Sequence, residues 1–388
     1  MPAEKGRIIR APPIPVEAEL TAAAAFAARL TAWQAAAGRH DLPWQRTRDP
    51  YRIWLSEIML QQTQVTTVIP YYERFLAAFP DVCALAAAEP GAVAALWAGL
   101  GYYARARNLH RCAREVVAVH GGKFPASAAA LAALPGIGRS TAAAIAAFAW
   151  GERAAILDGN VKRVLCRCFG IDGFPGLAAV DRNLWQLAES LLPETGIEAY
   201  TQGLMDLGAT VCSRARPRCE ACPLAADCVA RAEGRVAELP APRPRKALPH
   251  REVRVLVIER AGAILFERRP ATGVWAGLWS LPELPLEADL EAAVRARFGA
   301  GARMGAALAP IEHGFTHYTL TLYPHRVSLH GRPPVADGAG HLWLTRADAL
   351  AAALPAPIRR LVAADEDRLG TARGGSARTA TPSRRARP

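Results

Sequence analysis

Four cysteines gathered in one short stretch constrain the fold of this chain more than any other feature. They lie in "CSRARPRCEACPLAADC", at Cys212, Cys219, Cys222 and Cys228, with the spacing C-x6-C-x2-C-x5-C. Four thiolates within so short a segment can enclose one tetrahedral metal ion or one iron–sulfur cluster. The spacing leaves zinc and iron–sulfur open, because both accept four thiolates. Either centre would be structural, and it would stiffen the arginine-rich loop SRARPR for binding phosphate.

The charge of the chain points to a polyanionic partner. Lys+Arg outnumber Asp+Glu by 47 to 35, and the formal net charge is +12. The positive charge could also reflect the base composition of the genome alone. The sequence motifs are therefore needed to distinguish the two explanations. The 388 residues, 51% of them hydrophobic, are enough for two or three cored domains. No signal peptide and no membrane-length apolar run is visible, so we expect a cytoplasmic protein whose cysteines bind metal or are buried.

Composition divides the chain into five regions. Residues 20–232 show apolar residues at helical spacing between short Gly/Pro turns, which predicts an all-α core. Residues 233–250 hold four prolines and four basic residues and predict an extended linker. In residues 251–365, two β-rich runs separated by "ERAG" predict a hairpin that opens a mixed α/β domain. Residues 1–19 and 366–388 are expected to be tails, the second one basic and disordered.

The stretch "LPGIGRSTAA", residues 134–143, predicts a tight turn that leads into a helix. Gly136 and Gly138 would let the backbone approach a ligand, and the first N–H groups of the helix would be available to an anion. A plain helix–helix turn would have the same pattern. The positive charge of the chain and its arginine loop favour a phosphate grip on nucleic acid.

Glu57 and Asp158 are acids in apolar surroundings. Trp54 and Leu60 lie one helical turn to either side of Glu57, so burial should raise its pKa and let it donate a proton near neutral pH. Asp158 follows the apolar run "AAIL" and precedes a helix that Asn160 could cap, which would leave Asp158 free for other work. A surface glutamate and a second capping aspartate are the alternatives for each residue taken alone.

Five strings in the right order resemble the MutY-type adenine DNA glycosylases: "LSEIMLQQTQV", "GLGYYARARNLH", "LPGIGRSTA", "ILDGNVKRVL" and the four-cysteine loop. The resemblance spans most of residues 33–230. It implies a multi-domain fold with an all-α helix–hairpin–helix core of two lobes and a C-terminal α/β Nudix-like domain. The helix–hairpin–helix lobe would be 44–147, and the iron–sulfur lobe 20–43 with 148–232. The resemblance also implies a 4Fe-4S cluster on Cys212, Cys219, Cys222 and Cys228.

The resemblance further implies roles for individual residues. Glu57 matches the proton donor to adenine N7, and Asp158 matches the group that stabilises the sugar cation, with Asn160 beside it. Cleavage of an N-glycosidic bond needs a proton donor and a group that stabilises the cation, as glycoside hydrolysis does. Before this step, the base must leave the stack of the duplex. The other matches are Trp44, Leu60 and Gln202 around the adenine, Gln62 and Tyr102 as wedges in the duplex, and Gly136, Gly138 and Ser140 on the DNA backbone.

Ser140 stands where bifunctional glycosylases of the endonuclease III type carry a nucleophilic lysine. A hydroxyl cannot form a Schiff base with the sugar, so we expect water to complete the reaction and the strand to stay intact. Lys162, one helical turn after Asp158, could form an occasional adduct with the abasic sugar and cause weak nicking.

The C-terminal region resembles, more weakly, the Nudix-like domain of the same family. Nudix hydrolases hold magnesium on an acid-rich helix, and here "LEAAVRARFG" offers only Glu291, so pyrophosphatase activity is not expected. "HGFTHYTL" matches the family's loop that contacts the damaged guanine, with Phe315, Thr316 and His317 at its tip. Thr316 replaces the expected serine and keeps the hydroxyl. A solvent-facing β-turn is the alternative for this loop.

We therefore expect a monofunctional glycosylase that removes adenine paired with 8-oxoguanine, and less well adenine paired with guanine. It would act as a monomer on double-stranded DNA at the bacterial nucleoid. A bifunctional glycosylase for oxidised pyrimidines would need a lysine at position 140. A non-catalytic DNA-binding scaffold would have no use for Glu57 on an apolar face, and a nucleotide pyrophosphatase would need the missing acidic helix.

Overall fold

The computed structural model describes residues 16–244, 248–270, 273–315, 317–330 and 340–372. Its contacts divide the chain into two units. The first unit comprises the residues up to Ala87 together with Asn108–Arg245, and the second comprises Ala88–Arg107 together with the residues from Lys246 onward. Residues 88–107, expected in the helical core, thus group with the C-terminal region. Within the described ranges, no helix is long and apolar enough to cross a membrane.

Residues 16–244 form twelve α-helices and, as far as they are described, no strand. The helices are α1 Val16–Ala37, α2 Pro50–Leu60, α3 Val65–Ala78, α4 Val82–Ala87, α5 Pro90–Trp97, α6 Ala104–His120, α7 Ala128–Ala132, α8 Arg139–Trp150, α9 Gly159–Cys168, α10 Ala178–Ser190, α11 Ile197–Asp206 and α12 Val229–Ala232. The predicted all-α region is confirmed, and α7, its turn and α8 form the expected helix–hairpin–helix.

Capping side chains explain where several helices begin. Asp49 caps α2 and Ser127 caps α7, each by accepting a backbone N–H. Helix α9 is capped by Asp158, whose Oδ1 accepts the N–H groups of Asn160 and Val161 at 2.8 Å each. The prediction that Asn160 would cap this helix was wrong, because α9 starts one residue before Asn160 and aspartate caps as well as asparagine does.

One hydrophobic core of the first unit lies where α1, α8, α9 and α11 meet. Leu30, Val161, Leu165 and Leu204 are all at most 2% exposed there. The alanines of α8 leave room for the neighbouring helices to approach closely. Helix α11 continues into one π-helical turn, Leu207–Val211, which leads directly to the first cysteine of the loop.

The second unit contains one mixed sheet. Its strands are β1 His250–Arg260, β2 Ala263–Arg268, β3 Trp279–Ser280, β4 Glu283–Leu284, β5 Ala302–Ala307, β6 Ile311–Gly314, β7 Thr319–Leu329 and β8 His341–Thr345. The main order is β3-β2-β1-β7-β5, with β4 beside β1, β6 beside β7 and β8 beside β2. Strands β1 and β7 are parallel, and the other pairs are antiparallel. The predicted β1–β2 hairpin is confirmed.

Helices cover both faces of this sheet. Alternation along β1 sends Val255 and Val257 to one face, where they pack with α14 Arg346–Ala351 and α15 Ala356–Ala372. Leu256 and Ile258 point to the other face and pack with α13 Leu290–Phe298. The predicted α/β domain is therefore confirmed. Helix α15 continues to Ala372, past the expected start of the tail, and residues 373–388 lie outside the described part of the chain.

Candidate active site

The first unit contains a cavity of about 280 Å³ between α2 and α11. Trp44, Glu57 and Gln202, three residues expected around the adenine and its proton donor, all line it. Trp44 comes from a short 3-10 helix before α2 and is held by an edge contact with Tyr72, at 5.4 Å between ring centroids. Leu60, Asp158 and Asn160 do not line this cavity. The structure thus brings together part of the predicted set.

Glu57 is the only acid of α2, on a helix whose other faces are largely buried. Its neighbours Ile53 and Trp54 are at most 2% exposed, as the spacing predicts. Burial raises the pKa of Glu57 to about 8, and the nearby charge of Asp158 adds to the effect. Glu57 is half-buried and lines the cavity, so a carboxyl group whose pKa is raised to about 8 borders this space.

Asp158 lies at the start of α9 and is half-buried. Burial raises its pKa, whereas the N–H groups of Asn160 and Val161 and the charges of Arg163 and Lys162 act in the opposite direction. Both backbone bonds end on Oδ1, so helix capping by itself does not occupy Oδ2. The two acids therefore differ: cations and N–H groups surround Asp158, while apolar side chains surround Glu57.

Asn160 is fixed from two sides. Arg163 donates to its Oδ1 at 2.9 Å and to the carbonyl of Gly208 at 2.7 Å. A Cβ atom placed on Gly208 would lie 2.6 Å from the Asn160 Cβ, so only glycine lets the π-helical turn approach α9 this closely. The amine of Lys162 is ion-paired with Asp181. That pairing works against an incidental attack on a sugar.

Behind Gln202, which lines the cavity, lies an ion-paired network that the sequence did not predict. Asp206 is fully buried and accepts the side-chain amide of Gln202 at 2.8 Å. Arg39 binds the same carboxylate through its backbone N–H at 2.8 Å and through Nε at 2.7 Å. No local pattern could have indicated this pair, because its members lie far apart in the chain.

The two expected wedge residues share an unusual backbone. Gln62 has φ 57° and Tyr102 has φ 49°, and both side chains are exposed. Non-glycine residues adopt this left-handed region only when their surroundings hold them there. Trp275 has the same feature, with φ 57°, which no sequence pattern had indicated.

The hairpin between α7 and α8 has the geometry that its glycines predict. Gly136 has φ 78°, and a Cβ atom there would lie 2.6 Å from the Cβ of Asn108. Gly138 is the N-cap of α8 and is exposed. The Ser140 hydroxyl accepts the backbone N–H of Leu157 at 2.9 Å, which ties the start of α8 to the residue before Asp158. Ser140 is therefore a structural link as well as a DNA-contact candidate.

The four cysteines of the loop, Cys212, Cys219, Cys222 and Cys228, line one cavity. Arg167, 3% exposed, donates to the Cys212 Sγ at 3.4 Å and to the carbonyls of Ser213, Arg214 and Leu239. None of these acceptors is a carboxylate, so the buried guanidinium binds the Cys212 sulfur and backbone carbonyls. Among the described residues, no His, Cys, Asp or Glu group has the arrangement of a single metal-ion site. Leu239, in the expected linker, is buried.

In the second unit, aromatic rings surround the loop expected to contact guanine. Phe315 lies 5.4 Å from Trp275, 4.6 Å from His313 and 6.1 Å from His317, measured between ring centroids. His317 is exposed, while Thr316 lies outside the described residues. Helix α13 carries Glu291 in its first turn and arginines in its last, as its sequence indicates.

Comparisons with known proteins agree with this architecture. Residues 55–190 match the model of the HhH-GPD superfamily base excision DNA repair proteins, and residues 254–364 match the NUDIX domain. An adenine DNA glycosylase of Buchnera aphidicola (subsp. Baizongia pistaciae) is 32% identical over 85% of this chain and 93% of its own length. The adenine DNA glycosylase of Rattus norvegicus is 34% identical over 94% and 83%.

A solved structure is also similar to the helical part. The structure of a thermostable thymine-DNA glycosylase covers 56% of this chain and 98% of its own, with 31% identity and a TM-score of 0.51. The thymine-DNA glycosylase structure covers no more of this chain than the helical region spans. The Buchnera and rat relatives, in contrast, match 85% and 94% of the chain. On this evidence, the chain belongs to the adenine DNA glycosylase family.

Proposed function

We propose that this protein removes adenine from DNA where adenine is paired with 8-oxoguanine, and less well where it is paired with guanine. One observation carries the proposal: Glu57 opens into a cavity as a carboxylic acid whose pKa is raised to about 8, beside the second carboxyl group of Asp158. The curated relatives named adenine DNA glycosylase support adenine as the base.

The two carboxyl groups would divide the chemistry between them. Glu57, protonated at neutral pH, would donate its proton to N7 of the flipped adenine and make the base a better leaving group. Asp158 would stabilise the cationic sugar with its charge, because N–H groups and two basic side chains offset part of the rise in pKa that burial causes. Interacting acids titrate as a pair, and we assign the remaining proton to Glu57, which has no N–H group or cation among the causes of its raised pKa.

The cavity would hold the adenine after it leaves the helix. Its volume of about 280 Å³ is near the lower end of small-molecule pockets, roughly 300 Å³. Trp44 offers an aromatic wall, and Gln202 offers an amide that Asp206 orients. Gln62 and Tyr102, held at positive φ and exposed, would fill the space that the adenine leaves in the duplex.

DNA would be held at the hairpin before α8, where Gly136 and Gly138 expose backbone N–H groups to a phosphate. Ser140 supplies no amine, so water would complete the reaction and the strand would stay intact. The protein would act on double-stranded DNA as a monomer. The intact strand distinguishes the proposed activity from that of a bifunctional glycosylase.

The cysteine loop would carry a 4Fe-4S cluster. All four thiols line one cavity, and the buried guanidinium of Arg167 faces them without a carboxylate among its acceptors. When bound, such a cluster would supply a fixed centre that shapes the loop and its arginines. Iron and sulfide analysis of anaerobically purified protein should give about four of each per chain. Cys219→Ser should lower both values, while Cys83→Ser, at an exposed cysteine, should leave them unchanged.

The C-terminal domain would read the base opposite the adenine. The tip residues Phe315, Thr316 and His317 offer a ring, a hydroxyl and an imidazole to the edge by which 8-oxoguanine differs from guanine. The basic character of α13 fits a domain that contacts nucleic acid without holding the magnesium of a hydrolase.

A duplex assay tests the proposal. Purified protein is incubated with duplexes that hold adenine opposite 8-oxoguanine, adenine opposite thymine, or thymine glycol, and products are separated with and without alkali. We expect alkali-dependent cleavage of the 8-oxoguanine duplex alone. Cleavage without alkali, or at thymine glycol, would favour a bifunctional pyrimidine glycosylase.

A further inference from the structure

Two side chains at the start of α6 bind backbone carbonyls of the C-terminal region, within the second unit. The Tyr103 hydroxyl donates to the carbonyl of Leu354 at 3.2 Å, and Arg107 Nη1 donates to the carbonyl of Ala276 at 2.9 Å. Both acceptor residues are at most 2% exposed. These carbonyls are therefore anchored to the core of the C-terminal domain.

Tyr103 and the first turn of α6, which carries Arg107, follow directly after the wedge residue Tyr102. The N–H of Arg107 donates to the carbonyl of Tyr103 at 3.2 Å, which joins Tyr103 to the start of the helix. The carbonyl of Tyr102 accepts the N–H of Arg105 at 2.8 Å. The Arg105 guanidinium lies over the Tyr102 ring, 5.5 Å from its centroid. A shift of this helical turn would move Tyr102 with it.

The other end of these contacts lies beside Phe315 and His317, the described residues of the loop expected to contact guanine, called here the reading loop. Ala276, the acceptor of Arg107, directly follows Trp275, which has φ 57°. The Trp275 ring packs on Phe315 at 5.4 Å between centroids. A continuous path of contacts thus runs from Tyr102 through Arg107, Ala276 and Trp275 to the reading loop.

We propose that Arg107 and Tyr103 are positioning residues that transmit the state of the reading loop to the wedge. The inference rests on the proposed function, in which Tyr102 enters the duplex and the reading loop contacts the opposite base. Tyr102 and Trp275, one at each end of the path, both hold a positive φ, a backbone conformation that surrounding contacts must maintain. An 8-oxoguanine seated against Phe315 would hold Trp275 and Ala276 in place, and through Arg107 would keep Tyr102 in its wedge conformation.

The test compares adenine removal opposite 8-oxoguanine and opposite guanine, under single turnover with the full-length protein. Arg107→Met removes the longer connection, and Tyr103→Phe removes one hydroxyl. Arg114→Met is the matched control, because it removes an equal charge from an exposed position of the same helix. The ratio of the two rate constants should fall at least about fivefold in Arg107→Met, as expected for coupled sites, fall less in Tyr103→Phe, and stay unchanged in Arg114→Met.

A double variant separates transmission from a general structural effect. If Arg107 and Phe315 act on one path, Arg107→Met combined with Phe315→Leu should reduce the ratio no further than the stronger single change does. An equal fall of both rate constants in Arg107→Met, or an unchanged ratio, would overturn the proposal. Wild-type protein that removes no adenine from either duplex would instead contradict the proposed function itself.

Discussion

The carboxyl groups of Glu57 and Asp158 lie close enough that the charge of Asp158 raises the pKa of Glu57. Glu57 comes from α2 and Asp158 from the N-cap of α9, so tertiary packing creates the pair. Burial raises the pKa of both acids, but at Asp158 the N–H groups of Asn160 and Val161 and the charges of Arg163 and Lys162 act against that rise. The arrangement sets two carboxyl groups with different partners close together.

The pH dependence of base release should follow Glu57. A general acid works only while protonated, so the single-turnover rate constant should fall about tenfold per pH unit above its pKa of about 8. Duplex binding, measured over the same range, serves as the control. A rate constant that rises as the pH passes through 8 would contradict this role.

Glu57→Gln should make the folded protein more stable at alkaline pH. The pKa of Glu57 is about 8 in the folded state against an ordinary value of 4.5, so between these values the unfolded chain ionises and folding must restore the proton. The cost is absent below pH 4.5 and grows to its full size near pH 8. We expect a gain in unfolding free energy on the order of 4 kcal/mol at pH 8, shrinking toward pH 5, by urea denaturation. Equal stability of both proteins at pH 8 would contradict the raised pKa.

Two substitutions at Asp158 should separate its role as the N-cap of α9 from the role of its charge in base release. Asp158→Asn keeps an oxygen acceptor for the start of α9, so stability should fall by less than about 1 kcal/mol while base release is lost. Asp158→Ala should lose base release and, in addition, about 1–2 kcal/mol of stability with the cap. Thermal melts and single-turnover assays of both variants measure this. Wild-type turnover by Asp158→Asn would reduce Asp158 to a capping residue.

Gly208→Ala should displace Asn160 or the π-helical turn that packs against it. The new methyl group would lie 2.6 Å from the Cβ of Asn160 and 3.2 Å from its backbone, so α9 or the π-helical turn must move. We expect a loss of about 1–3 kcal/mol in stability, as overpacking causes, together with slower base release. Gly91→Ala in α5 is the control, because its methyl group would meet nothing within 4 Å. Unchanged activity in Gly208→Ala would show that Asn160 need not hold its position.

Much of the fold and of the candidate site could be predicted from patterns of nearby residues. The apolar neighbours of Glu57, the glycine turn before α8 and the β-rich runs of the β1–β2 hairpin depend on residues a few positions apart, and the structure has all three. The cap of α9 was predicted at Asn160 instead of Asp158, because both residue types cap helices and spacing does not separate them.

Contacts between distant segments could not be predicted in this way. The bond of Arg39 with Asp206 and that of Arg107 with Ala276 join segments far apart in the chain. Trp275 carries no signal for a positive φ, because that conformation arises from the surrounding fold. These contacts hold Gln202 at the cavity and connect Arg107 to the region of the reading loop, so the details of the proposed function depend on tertiary contacts that local patterns do not indicate.

The most direct test of the account is adenine release by wild-type protein and by Glu57→Gln, from a duplex with one adenine opposite 8-oxoguanine. Under single turnover, wild-type protein should convert the strand to an abasic site that breaks only in alkali. Glu57→Gln should bind the same duplex and release at least about 100-fold less adenine, because its amide cannot deliver the proton. A Glu57→Gln rate constant within tenfold of the wild-type value would contradict the assignment of Glu57 as the general acid.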